Sequence, residues 1–361
     1  MRKKQFFNKQ EPKLLKLARR RKRMSCKPVL NGVLWNLGPS FSADGFTALQ
    51  SSAKEWRTDL DDLCRVGLKK IMLFAHVPYA LKNPGKAADD ILDFIFRECS
   101  ERGLEVIVAA GGLEGKFHPS VDAFDISSGS PVREYVDMIY KRYADYPSFA
   151  GWYIDYEFCI QEGETMRKLR EIYRISVELC KKRTPDLPVV ASPFFNPPTE
   201  GNVMHVGFYT PQDYADVWSD MISYSHFDVL ALQDNGGQHL SFFTERDTEP
   251  FIAAYAEACR ENNCRFWGNV ETGELEVDSA QDFFRRFGKD GNCNSKECAP
   301  YWRPVPIGRL KKKLELMSKY SECNLSWGYQ LFYRPRLGDR AANAYKDYET
   351  YLKEKFPEVI R

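Results

Sequence analysis

The chain has 361 residues, of which 43% are hydrophobic and 28% charged, and its formal net charge is +2. This composition fits one globular domain with a large core and a solvated surface. No stretch approaches the ~18 consecutive apolar residues that a membrane helix requires, so the sequence predicts no membrane partner.

The positive charge is concentrated at the N-terminus. Residues 1–27 contain 12 Lys and Arg against the single acid Glu11, whereas the remainder contains 40 basic and 49 acidic residues. The acidic remainder offers nucleic acid no extended surface, so we expect no nucleic-acid partner. A basic extension of this kind before a first strand is commonly disordered, so we expect residues 1–27 to be a disordered tail. The tail lacks the apolar segment of a secretory signal, which predicts a cytoplasmic protein for the sequence as written, with secretion left open if the N-terminus is misannotated. Met24 directly follows the basic run and is a candidate for the true start.

Short apolar runs alternate with segments of helical periodicity along the rest of the chain. The predicted strands comprise residues 29–35, 70–75, 104–110, 150–155, 188–192, 227–233, 264–270 and 325–332. The predicted helices comprise residues 55–66, 88–101, 132–143, 164–182, 211–223, 248–261, 309–319 and 340–355. Strands buried on both faces read as continuous apolar runs, so eight strand–helix units predict a (β/α)8 TIM barrel over residues 28–361.

Two carboxylates stand at equivalent places in this pattern. Glu157 follows the fourth predicted strand and Glu271 follows the seventh, so both are expected at the rim that carries the chemistry of such barrels. Side chains alternate along a strand, which predicts that Tyr153 and Asp155 share the face of Glu157, and that Asn269 shares the face of Glu271. An exposed glutamate at the start of a loop is the simpler alternative. Two of them beside pocket-facing polar groups favour catalysis, in the arrangement of sugar-cleaving enzymes.

The same rim has further polar and aromatic residues that suit a carbohydrate. Flat sugar faces stack on aromatic rings, and sugar hydroxyls require polar partners. The predicted substrate contacts are Trp35, Asn36, His76, Tyr153, Asp155, Gln233, Asp234, Asn269 and Trp327. An aromatic residue on a strand can instead point outward and pack on a helix.

Two predicted loops exceed the usual βα-loop length of 2–6 residues. Residues 272–308 follow the seventh strand, and residues 195–209 follow the fifth. Loops of this size are usually lids or subsites, and Tyr301 and Trp302 are candidates to cover a bound sugar. These loops are expected to decide between exo and endo action.

Four stretches resemble an uncharacterised, domain-of-unknown-function family of glycoside-hydrolase-like TIM barrels. They are YADYPSFAGWYIDYE at 143–157, VASPFF at 190–195, DVLALQDNGG at 228–237 and WGNVE at 267–271. The resemblance implies the barrel fold and a glycosidase activity without naming a substrate. More distantly, the acids after strands four and seven look like the acid/base and nucleophile of the retaining glycosidase clan A. That clan usually has Asn before the first glutamate, whereas Tyr156 stands here, which leaves Asp155 as a rival acid.

The expected reaction is a double displacement with retention. Glu157 protonates the leaving oxygen, ionised Glu271 attacks the anomeric carbon, and water resolves the glycosyl-enzyme. No cofactor or metal is expected, because only five histidines occur in the chain.

Two alternatives stay open at this point. One is a metal-dependent sugar isomerase or hydrolase with Glu157, Asp234, Glu271 and His76 as ligands. The other is a non-catalytic glycan-binding barrel. The sequence does not indicate an oligomeric state.

Overall fold

The computed structural model describes residues 25–37, 52–74, 91–111, 121–129, 132–158, 160–199, 201–203, 207–234, 240–289 and 297–360. Its main sheet consists of β1 (Gly32–Asn36), β2 (Lys70–Phe74), β3 (Glu105–Ala109), β4 (Phe149–Ile154), β5 (Val189–Ala191), β6 (Val229–Gln233), β7 (Arg265–Asn269) and β10 (Asn324–Leu325). The strands are parallel and follow one another in chain order around the sheet.

Backbone hydrogen bonds join the last strand to the first. Asn31 N donates to Asn324 O at 2.7 Å, and Leu34 N donates to Ser326 O at 2.9 Å. The sheet is therefore a closed (β/α)8 barrel, which confirms the predicted fold class.

Helices alternate with the barrel strands. They are α1 (Ala53–Arg65), α2 (Ile91–Arg102), α3 (Val132–Tyr143), α4 (Gly163–Arg183), α5 (Pro211–Ser225), α6 (Glu245–Glu261), α8 (Ile307–Ser318) and α10 (Asp339–Lys355). Their starts are specified locally, as in α5, where the Thr210 hydroxyl accepts a hydrogen bond from Asp213 N and the Asp213 carboxylate accepts one from Thr210 N. These reciprocal capping bonds satisfy free N–H groups at the helix end, and Pro211 in the first turn has no N–H group that needs a partner. Within the described residues, no helix is long and apolar enough to span a bilayer.

Alternating strand residues separate two cores. One core lies inside the barrel and contains Leu34, Met72, Ile107, Tyr153, Val190, Ala231, Trp267 and Leu325. The other lies between strands and helices and contains Val33, Trp35, Val108, Trp152, Ile154, Leu230 and Val270. The barrel interior is thus filled by side chains below the rim, as expected for eight strands.

The structure departs from the predicted strand at 325–332. β10 ends at Leu325, and α9 (Tyr329–Phe332) occupies the second half of the predicted strand. Gly328 precedes α9 with φ +86°, a left-handed conformation that favours glycine and turns the chain out of the sheet. The aromatic, β-prone composition of this segment concealed the turn.

The long connection after β7 is an ordered unit where the structure describes it. β8 (Gly273–Leu275) and β9 (Trp302–Pro304) form an antiparallel pair, and α7 (Ala280–Phe287) lies between them in the chain. Its buried side chains share a third core with residues from the loops after β5 and β6: Val203, Leu240, Phe243, Leu275, Val277, Ala280, Phe283, Cys298 and Trp302. We call this the loop core.

The predicted tail extends two residues too far into the chain. Cys26 N donates to Ser321 O at 3.1 Å, Ser318 Oγ donates to Lys27 O at 3.2 Å, and Lys27 forms an ion pair with Glu358. Cys26 and Lys27 therefore belong to the barrel. Residues 1–24 lie outside the described residues.

Candidate active site

Glu157 lies just beyond β4 and is held by two neighbours. The Tyr153 hydroxyl donates to Glu157 Oε1, and the Gln233 side chain also forms a hydrogen bond with the Glu157 carboxyl group. Part of the Glu157 side chain reaches solvent. Surrounding protein nonetheless desolvates the carboxyl group and raises its pKa, while the hydrogen bonds from Tyr153 and Gln233 lower it.

Glu271 lies beyond β7 with its side chain fully buried. Neither of its carboxylate oxygens has a hydrogen-bond partner among the described residues. Desolvation raises the pKa of Glu271 well above its usual value, the negative charges of Asp234 and Glu157 raise it further, and the Lys313 ammonium lowers it. Because the charge of Glu157 acts on Glu271, the two carboxyl groups lie within electrostatic reach of each other. Their predicted separation of about 5–6 Å stays a prediction.

Asp234 follows β6 and pairs with a cation from a helix. Lys313 Nζ of α8 lies 3.2 Å from Asp234 Oδ2, and both side chains are buried. Desolvation raises the pKa of Asp234, and the Lys313 charge lowers it. Asp234 Oδ1 also accepts a hydrogen bond from Glu271 N at 3.4 Å. Asp234 therefore contacts Lys313 and the main chain of Glu271.

The amides of Gln233 and Asn269 tie neighbouring strands together at the rim. Gln233 Nε2 donates to Ser192 O at 2.9 Å, and Asn269 Nδ2 donates to Ser192 Oγ at 3.2 Å. Asn269 Oδ1 accepts from Trp327 N at 2.7 Å. Gln233 and Asn269 are also register partners of β6 and β7. The structure therefore brings both predicted residues next to the two glutamates and gives them strand-linking bonds as well.

Asp155 is a second buried acid beside Glu157. Desolvation raises its pKa to about 7, its own backbone N–H lowers it, and the Glu157 charge raises it. Asp155 O accepts a hydrogen bond from Glu157 N at 3.0 Å, so the chain turns sharply at this point. Asp155 remains a rival for the acid role.

Trp327 lies half-buried between the barrel interior and the loop core. Its ring packs edge-on against Trp302 at 6.0 Å between centroids. Trp302 itself is buried and stacks on Phe332 at 5.7 Å, whereas Tyr301 is exposed. Of the two aromatics expected to cover a sugar, Trp302 supports Trp327 from within the loop core.

Trp35 does not belong to this group, which corrects its assignment as a substrate contact. It is fully buried on the outer face of β1, where its ring packs on Trp56 of α1 at 5.0 Å. Leu34 lies on the inner face of β1. Because side chains alternate between the two faces of a strand, the Trp35 side chain points outward to the helices. Asn36 is half-buried, and its main chain forms two hydrogen bonds with the Gln330 side chain. Gln330 Oε1 accepts from Asn36 N, and Gln330 Nε2 donates to Asn36 O, each at 2.7 Å. His76 lies outside the described residues.

Lys313 is the residue that sequence reasoning missed. It shares the face of α8 with Leu310, Leu314 and Met317, which recur at helical spacing. A lysine on an apolar helix face signals a buried charge with a partner. That pattern was visible in the sequence.

Among the described residues, no three His, Cys, Asp or Glu side chains are grouped so as to hold a metal ion. Two of the acids near the rim are instead held by different partners. Glu157 binds Tyr153, and Asp234 binds Lys313.

The closed ring of eight parallel strands with alternating helices defines a (β/α)8 TIM barrel. The chain belongs to the domain-of-unknown-function family DUF4434, whose profile matches residues 32–337. No curated protein sequence matches the chain.

Solved structures share the barrel at low sequence identity. A Bacteroides thetaiotaomicron protein described as a "putative alpha-L-fucosidase" is 18% identical with a TM-score of 0.66, over 92% of this chain and 94% of that one. The endo-1,4-beta-D-mannanase of Thermotoga petrophila is 12% identical with a TM-score of 0.55, over 83% and 88%. The beta-glucosidase of Thermotoga maritima is 11% identical with a TM-score of 0.55, over 92% and 99%. At these identities the likeness establishes the fold.

Proposed function

We propose that this protein is a retaining glycoside hydrolase acting on an oligo- or polysaccharide, with Glu157 as acid/base and Glu271 as nucleophile. The observation that carries the proposal is the Glu271 carboxylate, buried at the end of a barrel strand with both oxygens unpartnered among the described residues. An unsatisfied buried carboxylate destabilises a fold, so its presence is typical of a functional site.

The proposed reaction requires that the two glutamates hold one proton between them. The negative charge of Glu157 raises the pKa of Glu271, which disfavours the state with both carboxyl groups ionised. A retaining enzyme needs the singly protonated state, with the acid protonated and the nucleophile ionised. Burial alone makes Glu271 the weaker acid. A sugar hydroxyl that donates to its open oxygens lowers the Glu271 pKa and moves the proton to Glu157.

Three further observations support carbohydrate as the substrate. The half-buried Trp327 ring lies beside the barrel interior and offers an aromatic surface. Gln233 and Asn269 add amides next to the glutamates. The fold is shared with proteins described as glycosidases.

The test is a mechanism-based label. Purified protein is incubated with a panel of aryl glycosides and with 2-deoxy-2-fluoro glycosides of the same sugars, and the labelled peptide is identified by mass spectrometry. We expect a single glycosyl adduct on Glu271 and a product of retained anomeric configuration. An adduct on Glu157 would reverse the two roles, and inverted product without an adduct would contradict retention.

The same assay is run on the variants Glu271→Gln and Glu157→Gln. Glu261→Gln is their matched control. Glu261 is the exposed last residue of α6, so the same chemical change is made away from the rim. The control should label and turn over like the wild type.

A further inference from the structure

Lys313 is a buried cation that the proposed reaction does not use directly. Its Nζ donates to the main-chain oxygen of Glu271 at 2.6 Å and lies 3.2 Å from Asp234 Oδ2. The side chains of Lys313 and Asp234 are only 7% and 5% exposed. Removing an ammonium group from water costs several kcal/mol unless it is paired, so this placement requires close partners.

The pair acts on the main chain of Glu271 from both sides. Lys313 binds the Glu271 carbonyl oxygen, while Asp234 Oδ1 accepts from the Glu271 N–H at 3.4 Å. β7 ends at Asn269, so Glu271 lies beyond the regular strand ladder. Asp234 N in turn donates to Asn269 O at 3.1 Å, which joins the ends of β6 and β7. One ion pair therefore holds the segment that presents the Glu271 side chain.

The same pair supplies two opposite charges next to the Glu271 carboxyl group. The charged groups that act on Glu271 are Asp234 after β6, Lys313 of α8 and Glu157 after β4. Arg309, one turn before Lys313 in α8, acts on Asp234 and is itself paired with Glu274. The Asp234 and Glu157 charges disfavour ionised Glu271, and Lys313 favours it.

We propose that Lys313 and Asp234 are a positioning pair for Glu271, in which their ion pair fixes the Glu271 main chain and balances the charge beside its carboxyl group. The catalytic meaning of the pair rests on the proposed function. Its geometry does not, and this allows the two to be tested apart.

Single variants should move the ionisation of Glu271 in opposite directions. Lys313→Met removes the favourable charge, so the acid limb of the pH profile of kcat, which reports the substrate complex, should move up by about one pH unit or more. Asp234→Asn removes an unfavourable charge, so that limb should move down. A merely structural role would lower kcat in both variants and leave the limb in place.

The double variant Lys313→Met/Asp234→Asn keeps the test valid if one single variant fails to fold. It removes both charges together, and replacing a buried ion pair by neutral groups is often tolerated. Its acid limb should lie between those of the single variants. Lys313→Arg retains the charge and should restore the limb to within a few tenths of a pH unit. Lys312→Met, the same change at the exposed neighbouring lysine, is the control.

A substrate-free measurement separates this proposal from the proposed function. Protein labelled with carboxyl-13C glutamate is titrated by infrared spectroscopy, and the Glu271 signal is obtained by subtracting the spectrum of the same protein with Glu271→Gln. Opposite shifts in the two single variants would establish the pair even without glycosidase activity. Shifts in one direction, or none, would overturn it even in an active glycosidase.

Discussion

Tyr153 and Glu157 are joined by a hydrogen bond across the end of β4. The Tyr153 ring is buried in the barrel interior, edge-on to Phe74 at 6.5 Å, and its hydroxyl donates to Glu157 Oε1. The position of Glu157 is thus set by a side chain that the core itself holds in place.

Tyr153→Phe should raise the pKa of Glu157, because the hydrogen bond that favours the ionised carboxylate is lost while its desolvation remains. If Glu157 is the acid, the alkaline limb of the kcat profile, which reports the substrate complex, moves to higher pH. We expect turnover to fall roughly tenfold as the acid loses its orientation. Tyr140→Phe on the exposed side of α3 is the control. An unchanged limb would mean that Tyr153 does not tune the acid.

Glu271→Gln should abolish turnover and stabilise the fold at the same time. Because burial raises the pKa of Glu271, the wild type loses stability at pH 7, where the unfolded state favours the ionised carboxylate. The substitution removes this cost, so the free energy of unfolding at pH 7 should rise. We expect turnover to fall by orders of magnitude and the melting temperature to rise by about 2–4 °C. Differential scanning calorimetry measures the melting temperature, and hydrolysis of the aryl glycosides measures turnover. A fall in melting temperature would indicate a structural role for the carboxylate.

Asp155→Asn should stabilise the protein only above mildly acidic pH. Burial raises the pKa of Asp155 to about 7 from its ordinary value of 3.8, so folding favours the protonated form. Stability from that proton is complete below pH ~4 and is lost as pH rises towards 7. The variant should therefore match the wild type near pH 4 and exceed it by roughly 2–4 kcal/mol near pH 8. Urea unfolding at both pH values measures this, and a constant difference would contradict it.

Deletion of the N-terminal segment should show a sharp boundary. Residues 1–24 are predicted to be dispensable, so their removal should leave the melting temperature and activity unchanged. Removing residues 1–27 also deletes the bonds of Cys26 and Lys27 to Ser321, Ser318 and Glu358. That second deletion should lower the melting temperature by a few degrees (~2–4 °C). Equal melting temperatures for both deletions would show that those contacts contribute little.

Extended dialysis against a chelator should leave the activity of the wild type unchanged. The reaction as proposed uses two carboxyl groups and water, and none of its steps needs a metal. Activity is measured before dialysis, after it, and after addition of Mn²⁺, Mg²⁺ or Zn²⁺. Loss that is reversed by one of these ions would favour the metal-dependent alternative, with Glu157, Asp234, Glu271 and His76 as ligands.

The barrel was predictable because each of its units is specified locally. Seven of the eight predicted strands overlap the observed ones closely, since two-sided burial produces the apolar runs directly. The last strand was wrong beyond Leu325, because a single left-handed glycine ended it. A turn at one glycine depends on the backbone conformation of that residue. In the sequence pattern, the strand propensity of the neighbouring aromatic residues outweighs the signal of this glycine.

The site was predictable at the level of strand ends and less so at the level of side-chain direction. Glu157 and Glu271 lie at the strand ends where the sequence predicts them. Trp35 points outward, because the alternation of side chains along β1 places Leu34 inside the barrel. The Lys313–Asp234 pair joins residues 79 positions apart, on a helix and a strand end. Contacts over that separation depend on how α8 packs against the barrel, which periodicity alone does not give.

The loop core makes three parts of the rim dependent on one another. Val203 follows β5, Leu240 and Phe243 follow β6, and the β8–β9 unit follows β7, yet they bury one another. A change of length in any one of these segments would expose apolar surface on the other two. Diversification of this rim between homologues should therefore proceed by joint replacement of all three segments, and grafting a single one into a relative should yield an insoluble protein.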